Sequence, residues 1–274
     1  MAKHIVLFVL TAISTYLVGA NYSFDARHVI NGLSYSCSIM LILLAHEMGH
    51  YVMSRTYGIP ATLPYFIPFP LPPFGTFGAI IKMKGIVINK KALFDIGVAG
   101  PLSSFVLSVV CLFFGMKLSE VVISTPGTAE YRLGEPLVLK LIQWMTIGEL
   151  PPTQDVLLHP LGYAGWVGLF VTALNLLPVG QLDGGHVVYA VFGQKSKWAF
   201  MGSILALVFL ALFYNPGWLA LILLLLIFGM RHPQPFDAET PLDRPRKLLA
   251  FVMLIVFVLS FTPAPFPGLS LFGN

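Results

Sequence analysis

The sequence predicts an all-α polytopic membrane protein, with about six to seven transmembrane helices and a short membrane-associated β-hairpin at the cytosolic face. Hydrophobic residues make up 57% of the 274 residues and charged residues only 10%, whereas about a quarter of the residues of a soluble domain are charged. The mean hydropathy is +0.82. A soluble chain of this composition would have to expose large apolar patches. Ordinary cytosolic enzymes, coiled coils and disordered chains are therefore excluded.

Apolar runs mark the predicted spans. The first run lacks a small-residue cleavage site, so it is interpreted as a retained span rather than a signal peptide. The fourth run is interrupted near Asn175, and two later runs are shorter than the roughly 20 residues that a full span needs. Those two are tilted spans or a re-entrant hairpin. The runs are Ile5–Ala20, Ser34–Ser54, Lys91–Met116, Leu161–Phe192, Trp198–Tyr214, Trp218–Met230 and Leu248–Phe261.

Basic residues set the predicted orientation of the spans. If the N-terminus lies inside and each run crosses once, twelve of the 16 Lys and Arg residues fall on the inner side, as the positive-inside rule requires. The net charge of +4 is then explained by inner loops, and we expect no nucleic-acid partner. The N-terminus is therefore predicted to lie in the cytosol. The basic residues on the outer side are Arg27, Lys117, Arg132 and Lys140.

Three segments on the predicted inner side are not spans. Pro60–Pro73 contains six prolines and cannot form a continuous helix. In the next segment apolar and polar residues alternate before Gly85, which predicts a short β-hairpin over Thr76–Asn89 with its turn at that glycine. The polar segment Arg231–Lys247 is interpreted as a linker.

The loop Leu118–His159 lies on the predicted outer side. Its apolar stretch Pro136–Gly148 is too short to cross a bilayer and predicts an interfacial helix. Small residues within the runs are expected to have a packing role, because they allow two helices to approach closely. They are Gly97, Gly100, Ala164 and Gly168.

The second run carries the strongest chemical signal, the sequence HEMGH at residues 46–50. On a helix, His46 and His50 lie on the same face, and two imidazoles at this spacing can bind one Zn²⁺ while Glu47 acts as general base toward a water. Arg55 marks the inner boundary, so at about 1.5 Å per residue the histidines lie roughly 8–14 Å inside it. The alternative is a set of polar residues packed in a bundle, but ionisable groups within a span are costly and usually functional.

Two histidines leave a catalytic zinc site one ligand short, because such sites usually have three protein ligands and a water. The fourth run supplies two candidates in NLLPVGQLDGGH. Pro178 and Gly180 interrupt the helix just before Asp183, which lets its carboxylate turn toward the metal. Broken backbone is tolerated at membrane depth where it lines a cavity or is surrounded by protein. His186 is the other candidate.

A side-chain amide precedes this candidate ligand by two helical turns. Asn175 can hydrogen-bond the substrate backbone or a developing oxyanion. It can equally form a hydrogen bond between two helices. The residue is therefore a candidate catalytic group with a structural alternative.

These motifs together resemble the site-2 protease family of intramembrane zinc metalloproteases. The family pattern is HExxH on one span and NxxPxxxxDG on a later one, and Asn175, Pro178, Asp183 and Gly184 fall in register with it. GVAGP at residues 97–101 is similar to the motif on the span between them. The resemblance covers about residues 40–190. The loop Leu118–His159 is too short for the PDZ domain of many bacterial relatives, so the chain looks most like the compact branch without that domain.

The resemblance implies one Zn²⁺ per chain, bound by His46, His50 and Asp183, with Glu47 as catalytic base and Asn175 as a further active-site residue. It implies a metalloendopeptidase of the lipid bilayer, in a prokaryotic plasma membrane. The depth of the histidines relative to Arg55 predicts that the active site opens toward the cytosol. Its substrates would be membrane-anchored proteins cut within a transmembrane helix, in regulated intramembrane proteolysis. The substrate helix must first unwind, because a helix hides its carbonyls in hydrogen bonds.

Two alternatives remain beside this prediction. The edge of the predicted hairpin can receive the unwound substrate strand by β-addition, or the hairpin is a solvent-side turn without such a role. The chain as a whole can be a non-proteolytic membrane scaffold or a transporter with a residual metal site, although the intact Glu47 argues against it. The predicted domains are residues 1–33, the first helix and outer loop, 34–193, the catalytic membrane core, and 194–274, the C-terminal transmembrane helices.

Overall fold

The computed structural model describes residues 1–85, 87–123, 133–228, 236–237 and 239–267. In this described part the protein is mostly helical and has two small two-stranded antiparallel sheets. The helices are α1 (Ala2–Gly19), α2 (Ala26–Thr56), α3 (Lys90–Lys117), α4 (Leu137–Thr146), α5 (Pro160–Asn175), α6 (Asp183–Phe192), α7 (Ser196–Phe213), α8 (Gly217–Phe228) and α9 (Arg244–Ser260). The strands are β1 (Tyr65–Pro68), β2 (Thr76–Ile80), β3 (Glu120–Ile123) and β4 (Gln154–Leu157).

The chain forms two compact units. The first contains Met1–Gly85, Leu102–Ser124 and Leu141–Leu169. The second contains Ile86–Pro101, Thr125–Lys140 and Phe170–Asn274. The division by role into residues 1–33, 34–193 and 194–274 stays a prediction.

Four segments are long and apolar enough to cross a bilayer, counted over the residues that the structure describes. Three are α1, α2 and α3, and the fourth, Asp183–Phe213, combines α6 and α7. α2 begins at Ala26, earlier than the predicted Ser34, because the Asp25 carboxylate caps it by accepting a hydrogen bond from the His28 N–H. That bond also lowers the pKa of Asp25. The number of six to seven spans stays a prediction.

Polar and small residues join α1 and α2 in the first unit. The Thr15 hydroxyl lies 2.8 Å from the Ser36 hydroxyl, which lies 2.9 Å from the Ala12 carbonyl. Gly19 has no room for a side chain, because a Cβ there would lie 2.6 Å from the Tyr35 Cβ. Small residues and interhelical hydrogen bonds are typical of helix packing in membranes.

Glycine also allows α5 to pack closely in the first unit. A Cβ at Gly168 would overlap the Ser108 hydroxyl of α3 and lie 2.9 Å from a methyl group of Ile42 on α2. The neighbouring Ala164 is fully buried. The packing role predicted for Gly168 is therefore confirmed.

A two-stranded hairpin follows α2, but its strands are not the predicted ones. β2 pairs antiparallel with β1, which precedes it, so that Tyr65 lies opposite Ile80. The turn lies in the proline-rich segment, and the prediction of a hairpin over Thr76–Asn89 with its turn at Gly85 is wrong. The prolines did not prevent strand formation, because Pro68 stands at the end of β1 beside an irregularity of register, where the missing N–H is tolerated.

The turn of this hairpin is fixed to the first two helices. The Ser14 hydroxyl donates to the Gly75 carbonyl at 2.5 Å, and the Tyr35 hydroxyl donates to the Phe74 carbonyl at 2.8 Å. Gly75 has a φ of 77°, and a Cβ there would lie 2.8 Å from the Thr15 Cα. Only glycine fits this position, which holds the turn against α1.

The segment between α3 and α5 contains more structure than predicted. α4 is the helix predicted at Pro136–Gly148, and its interfacial location stays a prediction. β3 and β4 pair antiparallel, from Glu120 opposite Leu157 to Ile123 opposite Gln154, and neither strand is predicted. Nearly all their residues are exposed, so the alternation of buried and exposed positions that marks a strand is missing.

In the second unit, side chains fasten the turn between α7 and α8. The Asn215 amide accepts a hydrogen bond from the Gly217 N–H at 2.8 Å and donates one to the Phe266 carbonyl at 2.7 Å. The Trp218 indole donates to the Pro263 carbonyl at 2.7 Å. The two helices are thus joined to the segment after α9. Their identity as tilted spans or as a re-entrant hairpin stays a prediction, and the end of the run Trp218–Met230 lies outside the described residues.

The segment Arg231–Lys247 is more than a linker in its described part. The Asp237 N–H donates to the Ile88 carbonyl at 2.9 Å, and α9 begins at Arg244, earlier than the predicted Leu248. Residues 231–235 and 238 lie outside the described residues. The linker interpretation is therefore wrong for the part that leads into α9.

Candidate active site

The HEMGH sequence lies on the C-terminal half of α2. His46, Glu47 and His50 are all buried, at 5–7% exposure. The two rings lie edge to face with centroids 4.8 Å apart, and their Nε2 atoms are separated by 3.1 Å. The helical spacing thus brings the same ring nitrogen of both histidines to one point. The helix ends directly after Arg55, where the sequence predicts the boundary of the run.

This pair of nitrogens fits a zinc ion. Two nitrogen ligands of a tetrahedral Zn²⁺, with bonds of about 2.0–2.1 Å, lie roughly 3.3 Å apart. The 3.1 Å between Nε2 of His46 and Nε2 of His50 is close to that separation. Imidazole nitrogens are also among the donors that Zn²⁺ prefers. The donor set therefore suits Zn²⁺ in both distance and chemistry.

A hydroxyl from α3 meets the other nitrogen of His46. Nδ1 of this ring lies 3.0 Å from Oγ of Ser104, which is itself buried at 1% exposure. Histidines that bind metals usually make such a hydrogen bond through their second nitrogen, which fixes the tautomer and the direction of the ring. Ser104 is not predicted from the sequence. The available signal is a hydroxyl within an apolar run, three residues after the GVAGP sequence.

Asp183 is the first residue of α6, directly after the predicted break in the fourth run. Residues 176–182 interrupt the helix, and two glycines allow them to fold back tightly. A Cβ at Gly184 would overlap the Leu176 carbonyl oxygen, and a Cβ at Gly185 would overlap the Gly180 carbonyl oxygen. The loop lies directly on the first turn of α6, which fixes the backbone from which the Asp183 side chain extends.

α3 packs against the same turn of α6 through Gly97. A Cβ at this glycine would lie 3.2 Å from the Asp183 carbonyl oxygen and 3.1 Å from the His186 Cβ. The packing role predicted for Gly97 is therefore confirmed. Gly97, the first residue of the GVAGP sequence, thus lies against the helix that begins at Asp183.

Three of the predicted site residues form a possible metal-binding group. His46, His50 and Asp183 each offer one ligand atom, and these atoms all lie within 4.8 Å of one another. His186 does not belong to the group. Asn175 is the half-buried last residue of α5, and both of its interpretations stay predictions.

The chain is similar to a known family and to named relatives. Peptidase family M50 matches residues 34–214. The "Probable zinc metalloprotease EGY1, chloroplastic" of Oryza sativa subsp. japonica is 38% identical over 181 residues, which are 63% of this chain and 30% of the relative. The protein of the same name from Arabidopsis thaliana is 34% identical over 234 residues, which are 82% of this chain and 42% of the relative.

A further relative, "Probable zinc metalloprotease EGY2, chloroplastic" of Arabidopsis thaliana, is 28% identical over 250 residues, which are 89% of this chain and 44% of the relative. The chain thus spans less than half the length of these relatives. The family match covers more than half of the chain and includes both the HEMGH sequence and Asp183. The chain therefore belongs to Peptidase family M50.

Proposed function

We propose that the chain is an intramembrane zinc metalloprotease, in which His46, His50 and Asp183 hold one Zn²⁺ and Glu47 is the catalytic base. The observation that carries this proposal is the group of three ligand atoms within 4.8 Å of one another. Membership of Peptidase family M50 supports it. So do the relatives that are named as zinc metalloproteases.

Asp183 is a better third ligand than His186. Its carboxylate belongs to the group of possible ligands, and two histidines with one carboxylate are a donor set of catalytic zinc sites. The Cβ of His186 instead faces Gly97 of α3. We assign His186 to packing at this contact.

Glu47 moves the proton in the proposed reaction. When bound, Zn²⁺ supplies an acidified water and polarises a peptide carbonyl. Glu47 takes the proton of the attacking water and then donates a proton to the leaving amine. Its burial at 7% exposure limits competition by bulk water.

Asn175 donates a hydrogen bond to the oxygen on which negative charge develops. The alternative role of Asn175 is a structural hydrogen bond between two helices.

The proposed substrates are membrane-anchored proteins, cut within a transmembrane helix. The histidines lie on a helix that is long and apolar enough to cross a bilayer, at a depth of roughly 8–14 Å from Arg55 along the helix axis. A soluble peptide has little access to such a position. A substrate helix must unwind to expose its carbonyls, so we expect cleavage where Gly, Pro or Asn lowers helix propensity.

β2 is a candidate edge for the unwound substrate. It pairs with β1 on one side, and its Phe77 and Ile80 side chains are exposed at 67% and 48%. An extended segment can add to such an edge through main-chain hydrogen bonds. The alternative is that the hairpin only supports α1 and α2.

We further propose a multi-pass protein of six to seven spans whose N-terminus and site opening lie on the cytosolic side of a prokaryotic plasma membrane. The distribution of Lys and Arg supports the orientation, and four candidate spans support the multi-pass arrangement. The catalytic core of residues 34–193 is supported by the start of the family match at residue 34. A plastid membrane is the alternative location, because the relatives are named as chloroplastic.

The test is cleavage of single-span reporter helices in vesicles by the wild-type protein and by E47Q. Wild type is expected to release fragments from a reporter with a Gly- and Asn-containing stretch near its cytosolic end, and E47Q is expected to hold zinc and release none. E120Q is the matched control, because Glu120 is exposed on β3. Equal cleavage by E47Q and wild type contradicts the assigned base. Zinc binding without cleavage of any reporter favours the scaffold or transporter.

A further inference from the structure

Arg246 forms a bidentate ion pair with Asp95, which is 151 residues away in the sequence. Its Nε donates to Oδ1 at 2.9 Å and its Nη2 donates to Oδ2 at 2.6 Å. The side chains are 25% and 16% exposed, so solvent screens the pair less than an ordinary surface pair. A guanidinium and a carboxylate joined by two parallel hydrogen bonds form a contact that is directional as well as strong. The pair therefore holds the first turn of α9 against the first turns of α3.

Asp243 orients Arg246 for this contact. It is the N-cap of α9 and accepts hydrogen bonds from both the backbone N–H, at 3.2 Å, and the guanidinium of Arg246. The backbone bond lowers the pKa of Asp243 further below its ordinary value. The Lys91 ammonium lies 3.8 Å from the same carboxylate. Two acidic and two basic side chains thus form a cluster without net charge.

A short backbone ladder joins the same part of the unit. The N–H groups of Phe236 and Asp237 donate to the carbonyls of Val87 and Ile88, both at 2.9 Å. Asn89 follows this ladder and caps α3, because its side chain accepts a hydrogen bond from an N–H of the first turn. The segments that precede α3 and α9 are therefore joined by backbone hydrogen bonds in addition to the ion pair.

The ion pair lies close in sequence to the contact that supports Asp183. Asp95 precedes Gly97 by two residues on α3, and a Cβ at Gly97 would lie 3.2 Å from the Asp183 carbonyl oxygen and 3.5 Å from a Val187 methyl group. Gly97 itself has no side chain, so the backbone of α3 lies directly against this turn of α6. Because protein interiors are close-packed, a displacement of the first turns of α3 must move the first turn of α6.

We propose that Asp95 and Arg246 are a positioning pair for the metal centre. The pair fixes α3, α3 fixes the first turn of α6 through Gly97, and that turn directs the Asp183 carboxylate. This inference rests on the proposed function, because it concerns the proposed third zinc ligand. A role in stability alone is a weaker explanation, since apolar residues often stabilise a partly buried site as well as an ion pair does.

The test measures zinc affinity by competition with a chelator, together with the unfolding midpoint of the metal-free protein in detergent. R246K is the principal variant, because lysine keeps the charge but lacks the planar fork. D95N is the second variant, because it keeps the shape of Asp95 without its charge. K91Q is the matched control, because the Lys91 ammonium lies 3.8 Å from the Asp243 carboxylate and Lys91 is not one of the two residues of the bidentate pair.

For R246K and D95N, the zinc dissociation constant is expected to rise about tenfold, which is typical for loss of a group that supports a ligand. K91Q should match wild type, and the metal-free unfolding midpoint of R246K should stay near that of wild type. Unchanged zinc affinity in R246K and D95N overturns the inference, whether or not stability falls, and leaves the proposed function intact. A wild-type protein that binds no zinc overturns both the positioning role of the pair and the proposed function.

Discussion

Nδ1 of His46 lies 3.0 Å from the hydroxyl of Ser104 on α3, and this contact leaves Nε2 directed at Nε2 of His50. When the hydroxyl accepts a hydrogen bond from Nδ1–H, the proton is held on the side away from His50. Nε2 then has the lone pair that a metal requires. The relationship prepares one ring nitrogen of His46 for ligation.

Replacing Ser104 with Ala should weaken zinc binding. The variant removes the hydrogen bond that orients the ring, and the loss of such a partner typically lowers metal affinity about tenfold or more. The measurement is chelator competition on purified protein. S108A is the control, because Ser108 donates to a backbone carbonyl of its own helix at 2.7 Å. An equal effect of S104A and S108A would show that general packing, and not ring orientation, is responsible.

Replacing Gly184 with Ala should remove zinc binding and cleavage together. The new Cβ would overlap the Leu176 carbonyl oxygen, and the backbone must shift at the residue after Asp183. The matched control is G202A within α7, where a Cβ meets nothing within 4 Å, and alanine there should stabilise the helix by up to about 1 kcal/mol. Full zinc content in G184A would contradict the role assigned to this close approach.

Replacing Gly165 with Ala should destabilise the first unit. The Cβ would lie 2.6 Å from the Leu112 nitrogen and 2.7 Å from the Ser108 carbonyl oxygen, and backbone atoms cannot rotate away as a side chain can. Overpacking of this kind typically costs about 1–3 kcal/mol. The measurement is the midpoint of denaturation in mixed micelles, with G202A again as the control. A midpoint equal to that of wild type would show that α5 shifts without cost.

A proline scan of the reporter helix tests strand addition to β2. Proline lacks the N–H that a ladder needs, and successive residues of a strand point their N–H groups to opposite sides. Prolines placed one at a time beside the cleavage site should therefore block cleavage at alternate positions. The same positions replaced by alanine serve as controls. If proline inhibits cleavage without alternating between successive positions, strand addition is excluded. The hairpin would then only support the helices.

The sequence predicts the helical parts of the site because their signals are local. The spacing of His46 and His50 places both rings on one face of any helix, and Pro178 and Gly180 mark the break before Asp183. Both features depend on neighbours a few residues away. The structure confirms the helix and the break.

The remaining elements depend on partners distant in sequence. A strand at the start of Thr76–Asn89 is confirmed as β2, but alternation does not identify the pairing strand, and the predicted turn at Gly85 is wrong. Arg246 falls in the segment that the sequence predicts as a polar linker, because nothing near it in the sequence reveals Asp95 as its partner. Ser104 similarly gains its role only when α3 lies beside α2.

The most direct measurement is the zinc content per chain of the wild-type protein, D183A and H186A, determined by elemental analysis after purification without added metal. We expect about one zinc per chain, the number in a single catalytic site, in wild type and H186A, and little or none in D183A. D183A that keeps its zinc while H186A loses it would contradict the ligand set of His46, His50 and Asp183.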